Sequence, residues 1–64
     1  MTTGEKIRTL RLYESMTQKE LADKVGCNPR TISRCENGKN RMGLYTLELI
    51  ADALNTTVKY LLEE

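Results

Sequence analysis

Residues 17–37, TQKELADKVGCNPRTISRCEN, decide how this chain is read, because nearly every position in them carries a local instruction. Thr17 can cap a helix, and Glu20 three residues on completes a capping box. Met16 before the cap and Leu21 after it supply the apolar pair of a hydrophobic staple. Leu21 and Val25 lie four apart on one face, with Ala22 beside them small enough to admit a second helix. Gly26 follows the last periodic residue, where a left-handed helix end calls for a residue without a Cβ. Asn28 can cap the next helix, and Pro29 takes its first position, where the missing N–H costs nothing. In that second helix Ile32 and Cys35 face inward at i and i+3, while Arg30, Ser33 and Arg34 share the opposite face. The spacing predicts two short helices joined by a glycine turn, the second with an outward stripe of guanidinium groups.

Such a pair is the helix-turn-helix that lays its second helix in the major groove of DNA. The same residues resemble the phage repressor and Cro class, the XRE family. The likeness is carried by Gln18, by Leu21-Ala22, by Val25-Gly26, by Thr31 to Ser33, and by the ENGK of Glu36 to Lys39. It extends outward to Ile7, Leu10 and Arg11 and to LELIADAL at 47–54, so it covers roughly residues 4 to 62. The resemblance implies an all-α fold: a compact five-helix, lambda-repressor-like DNA-binding domain with the helix-turn-helix formed by helices 2 and 3. It also implies an ion pair between Arg11 and Glu36 that ties the first helix to the end of the recognition helix, and a place against DNA for Gln18.

Sixty-four residues make one domain, 1–64, and a small one. A chain of this size buries only about 60% of its unfolded surface. Such a core seldom supplies more than ~3–5 kcal/mol, and it leaves no room for a second, ligand-sensing module. With three Tyr and no Phe or Trp, the core must be aliphatic. No signal peptide opens the chain, and no apolar run approaches the roughly 20 residues of a membrane span. A soluble, cytoplasmic protein is therefore expected. The opening Met and the finish just after the last core leucines suit a complete small protein.

The net charge of +1 is low for a nucleic-acid binder, but it is unevenly spread. Residues 1–16 sum to +1, residues 17–41 to +3 and residues 42–64 to −3. The molecule is expected to be basic on its DNA side and acidic on the other.

The first helix is predicted over about Thr3 to Glu14, capped by either Thr2, with Glu5 as its box partner, or Thr3. Its inward face is Ile7, Leu10, Arg11 and Glu14. Gly38 to Gly43 reads as a donor-rich loop. The fourth helix is predicted over about Leu44 to Leu54, with Leu47, Ile50, Ala51 and Leu54 inward and Asn55 as a left-handed stop. Thr57 caps a last short helix in which Val58, Leu61 and Leu62 can close the core. The Asn55-Thr56-Thr57 sequon, without a secretory signal, reads as chance.

Each base pair shows its own donor and acceptor pattern in the major groove. Residues early in the second motif helix and on its outer face must read that pattern. Arg30 and Arg34 lead, because a guanidinium fork matches guanine O6 and N7, although either arginine could hold a phosphate instead. Ser33 is small enough to approach a base edge or simply to avoid a clash. Pro29 could touch a thymine methyl or only start the helix, and Asn28 could read adenine or only cap. Phosphate contacts, which set register, fall to Gln18 before the motif turn and to Asn37, Lys39, Asn40 and Arg41 after it. Lys19 reads as a solvated lysine.

Cys27 and Cys35 make a poor metal site in a chain without His, since closed zinc sites want four ligands. Both read as small core residues, in positions where the family has larger apolar groups. Gly43, Tyr45 and Thr56 also depart from the family pattern. The absence of His, of a phosphate loop and of matched carboxylates argues against catalysis, and no cofactor or small-molecule ligand is expected. The reading is a DNA-binding transcriptional regulator, a repressor more than an activator, on a pseudo-palindromic double-stranded operator. It should act as a homodimer, one that could form only on DNA. Met42 to Leu44 and Tyr60 are the apolar candidates for the dimer contact. Two rivals stand beside it: an antitoxin or adaptor that binds protein, and an unselective nucleoid-type binder.

Overall fold

The computed structural model describes residues 1–63 and contains five α-helices: α1 (Thr3–Tyr13), α2 (Gln18–Val25), α3 (Pro29–Glu36), α4 (Leu44–Ala53) and α5 (Val58–Leu62). No strand occurs among the described residues. None of the helices is long and apolar enough to cross a membrane.

Two helices open with complete capping boxes. Thr2 caps α1 and exchanges hydrogen bonds with Glu5, and Thr17 caps α2 and exchanges them with Glu20. Thr3 is therefore not the cap; its hydroxyl donates to the Leu61 carbonyl at 2.8 Å. The first helix stops at Tyr13, one residue short of the expected end, and Glu14 becomes its half-exposed C-cap. Ser15 then takes a left-handed conformation (φ 58°), so that Met16 N–H reaches the Arg11 carbonyl at 3.0 Å. Asn55 does the same after α4 (φ 56°), as its composition foretold. Gly43 takes the N-cap position of α4 and offers no side-chain bond.

Packing joins α2 to α3 and α4, α1 to α3 and α5, and α4 to α5. The interior is aliphatic: Ile7, Leu21, Ile32, Ile50, Leu54 and Leu61 are fully buried. Cys35 belongs to this core, whereas Cys27 is only half-buried at its rim. Leu62 stays outside, 53% exposed, contrary to its expected closing role. A five-residue helix has one residue, Leu61, aimed fully inward, and Leu62 falls past the edge of that stripe.

Candidate nucleic-acid interface

The turn between α2 and α3 forms by local chemistry alone. Gly26 is left-handed (φ 82°, ψ 33°), and its N–H and that of Cys27 both return to the Ala22 carbonyl, at 2.8 and 3.0 Å. Asn28 Oδ1 accepts the Arg30 N–H at 2.8 Å, and Pro29 starts α3. The cap engages one lone pair of the Asn28 oxygen, while the side chain as a whole stays exposed with its amide N–H groups.

One face of α3 is buried through Ile32, Cys35 and Glu36. The other carries Arg30 and Arg34, both exposed, with Ser33 half-buried between them. Arg30 has no side-chain bond among the described residues, so its guanidinium is free to meet a ligand. Asn28 and Pro29 are exposed at the same end, and Asn37, Lys39, Asn40 and Arg41 are exposed beyond the helix. Among the described residues, one side chain-to-side chain bond joins two of them: Arg34 Nε donates to Asn40 Oδ1 at 3.2 Å.

Behind the exposed face lies a buried polar cluster. Arg11 Nε and Nη2 donate to the two oxygens of Glu36, at 2.7 and 3.1 Å, and Nη1 donates to the Met16 carbonyl at 2.8 Å. Gln18 Nε2 donates to the same carboxylate at 3.1 Å. The Arg11–Glu36 pair thus ties together α1, the α1–α2 turn, α2 and α3. Gln18 is half-buried and keeps one amide N–H for a ligand, so its place is both structural and at the surface. Lys19 pairs with Asp23 at 3.3 Å on open surface, where such a contact is worth little.

Two residues of this scaffold were silent in the sequence reading. A Cβ on Gly4 would lie 2.3 Å from the Cys35 carbonyl oxygen and 2.7 Å from that of Glu36. The first turn of α1 therefore rests directly on the last turn of α3. A glycine inside a helix, at a cost in propensity, was the available hint. Lys6 is buried, donates to the Tyr60 and Glu63 carbonyls, and lies 4.9 Å from the Tyr60 ring centre. Its position beside Ile7 on the inward stripe was the only sign.

Charge follows the same division. Backbone N–H of Thr2 holds the Glu5 carboxyl below the usual range, and that of Thr17 does the same for Glu20. Burial pushes the Cys27 thiol up, and burial, with the Glu36 and Cys27 charges adding, pushes up Cys35. Both thiols are therefore neutral at pH 7. The short chain does leave an open groove of about 610 Å³, lined in part by Gly4, Cys35, Met42, Leu44 and Leu62.

The helix-turn-helix family model (HTH_3) matches residues 7–61. The chain belongs to the helix-turn-helix family. Among helix-turn-helix relatives, an uncharacterized transcriptional regulator of Sinorhizobium fredii is 33% identical over 61 residues, 95% of this chain and 43% of the relative. One from Rickettsia prowazekii is 32% identical over 60 residues, 94% of this chain and 46% of the relative. The chain thus spans less than half the length of these relatives. The solved P22 c2 repressor with a synthetic operator superposes with a TM-score of 0.95 at 28% identity, covering 98% of this chain and 96% of that one. SinR, a master regulator for biofilm formation solved in complex with DNA, gives 0.91 at 25% identity, with 97% and 100% covered. Family and fold are those of DNA-binding transcription regulators of the XRE type rather than of enzymes.

Proposed function

We propose that this helix-turn-helix domain binds double-stranded DNA in a sequence-specific manner and represses transcription from a pseudo-palindromic operator. The observation that carries the reading is the division of α3, one face locked into the core and the other presenting Arg30 and Arg34 to solvent. In the groove, Arg30 and Arg34 read bases, with Ser33 and Pro29 in reach of neighbouring edges. Gln18, Asn37, Lys39, Asn40 and Arg41 bracket the helix with donors for phosphate oxygens. The Asn28 amide N–H groups sit at the same end.

A second copy follows from size. The longest extent of the domain is 26 Å, while the major groove returns to one face of DNA every ~34 Å. One domain covers one half-site, so a two-fold operator takes a homodimer. Leu44, Tyr45, Tyr60 and Leu62 are exposed and supply apolar surface for it. Met42, half-buried, sits beside Leu44. The same surface favours a second reading, a protein-binding role alongside DNA binding; SinR itself has been solved with the SinI protein.

Selection of sites from a random duplex pool, followed by affinity across a salt series, tests the proposal. The expected winner is two-fold symmetric with half-site centres about 10 bp apart. Arg30→Ala and Arg34→Ala should each relax preference at one base pair by roughly 5- to 150-fold, the equivalent of ~1–3 kcal/mol. Binding without sequence preference that fades with salt would sink the reading.

A further inference from the structure

Arg34 is held by a partner outside its own helix, and the way the chain gets there is specific. Gly38 is left-handed (φ 73°); its N–H returns to the Cys35 carbonyl at 3.1 Å, and the Lys39 N–H returns to the Arg34 carbonyl at 2.8 Å. These bonds end α3 and reverse the chain, so that residue 40 runs back beside the last turn of the helix it has just left. There Asn40 Oδ1 accepts from Arg34 Nε at 3.2 Å. An Nε–H can only donate, so the amide atom facing it must be the oxygen.

We propose that Asn40 is a positioning residue for base recognition: it fixes which edge of the Arg34 guanidinium faces the DNA. The inference rests on the DNA-binding reading above and deepens it. A guanidinium has two edges able to make paired hydrogen bonds, Nε with Nη2 and Nη1 with Nη2. With Nε engaged by Asn40, only the Nη1–Nη2 edge is left to meet guanine O6 and N7. The bond also restrains a long, flexible side chain before DNA arrives, which lowers the ordering cost of the contact. Asparagine suits the position because it does two things at once. Its oxygen holds the arginine, and its Nδ2 group keeps two N–H donors for a phosphate. Lysine could reach a phosphate but could not hold Nε, and aspartate would hold Nε but repel the phosphate.

The experiment compares wild type, Arg34→Ala, Asn40→Ala, Asn40→Asp and the Arg34→Ala/Asn40→Ala double variant. Each is titrated by fluorescence anisotropy against the selected duplex and against duplexes changed one base pair at a time. Asn40 is exposed in a loop, and a thermal melt of each variant verifies the fold. Arg34→Ala should abolish discrimination at one base pair. Asn40→Ala should cut discrimination at that same pair by roughly 3- to 10-fold, part of what a bidentate contact is worth. The double variant should discriminate no worse than Arg34→Ala alone, the non-additivity expected of a coupled pair. Asn40→Asp should keep the discrimination while weakening every duplex by a similar factor, since it retains the acceptor and loses the phosphate donor. Uniform weakening by Asn40→Ala, with the base-pair ratio intact, would make Asn40 a phosphate contact only and overturn the inference. If Arg34→Ala relaxes no base pair, the assignment of Arg34 as a reader fails first, and the positioning role with it.

Discussion

The α2–α3 motif and the seam where α1 meets α3 and α5 are built on opposite plans. In the motif, the bonds that set the caps and the turn span two to five residues: Thr17 to Glu20, Asn28 to Arg30, Gly26 and Cys27 back to Ala22. Along the seam the partners are far apart in the chain: Arg11 with Glu36, Gly4 against Cys35 and Glu36, Thr3 with Leu61, and Lys6 with Tyr60 and Glu63. The motif specifies the shape of the proposed recognition surface, and the seam decides whether that shape is held still. A recognition helix of eight residues is too short to persist in water unaided. Its order is borrowed from the core that Ile32 and Cys35 enter and, on the α1 side, from one carboxylate and the backbone contact at Gly4.

If the seam holds the motif, its breakage should dominate stability. The largest effect is expected from Arg11→Ala, which leaves Glu36 buried without its cation. Such a loss costs about 3–5 kcal/mol, comparable with the whole stability of a domain this small. Urea unfolding followed by circular dichroism should find the variant largely unfolded at 25 °C. A midpoint near that of wild type would show that the motif is self-sufficient.

Gly4→Ala should come next, at about 1–3 kcal/mol, because a methyl group there meets backbone oxygens that cannot swing aside. Gly26→Ala is its counterpart in the motif. Nothing lies within 4 Å of a Cβ at Gly26, so its cost is the left-handed backbone alone, about 1–2 kcal/mol. Paired thermal melts separate a cost set by distant neighbours from one set by local conformation. Equal effects on both melting temperature and DNA affinity would erase the distinction, since only Gly4→Ala should also tilt α3.

The smallest effect should come from acid. Glu5 and Glu20 have lowered pKa values in the folded chain, so their contribution is full above the ordinary glutamate value of about 4.3 and is lost as pH falls through the lower folded values. Melting temperature should therefore decline below about pH 4.3, equally for the seam helix and the motif helix. Glu5→Gln and Glu20→Gln, which keep the capping bond but do not titrate, should each flatten that decline. The raised thiols act with the opposite sign: their contribution is present at neutral pH and fades as pH rises past about 8.5.

Legibility in the sequence follows the same line. Thr17, Glu20, Gly26, Asn28 and Pro29 act over a few residues, so their types and spacing were enough to place α2, its turn and α3. Arg11 and Glu36 lie 25 residues apart, and no periodicity joins them; a resemblance did. Gly4 and Lys6 owe their roles to partners from 31 to 57 residues away, which no local pattern announces. Leu62 was misplaced because i, i+3 and i+4 spacing assumes a helix long enough to use every position. The Arg34–Asn40 bond escaped notice because it depends on the path of a loop after a left-handed glycine. At the interface, the stripe of arginines was legible as composition, while its orientation depends on a contact that only folding creates.

The bonds from Thr3 and Lys6 to the end of α5 close the longest loop in the molecule, 54 to 58 residues, with a helix of only five residues on one side. Loop-closure entropy opposes that step more than any other in folding. In a cooperative unit with graded local openings, α5 and the first turn of α1 should be the last to dock and the first to let go. Their amides should exchange with solvent hydrogen well before those of α2 and α3. The five-residue helix α5 is then the fastest clock of the domain, opening and reclosing many times for each opening of α2 and α3.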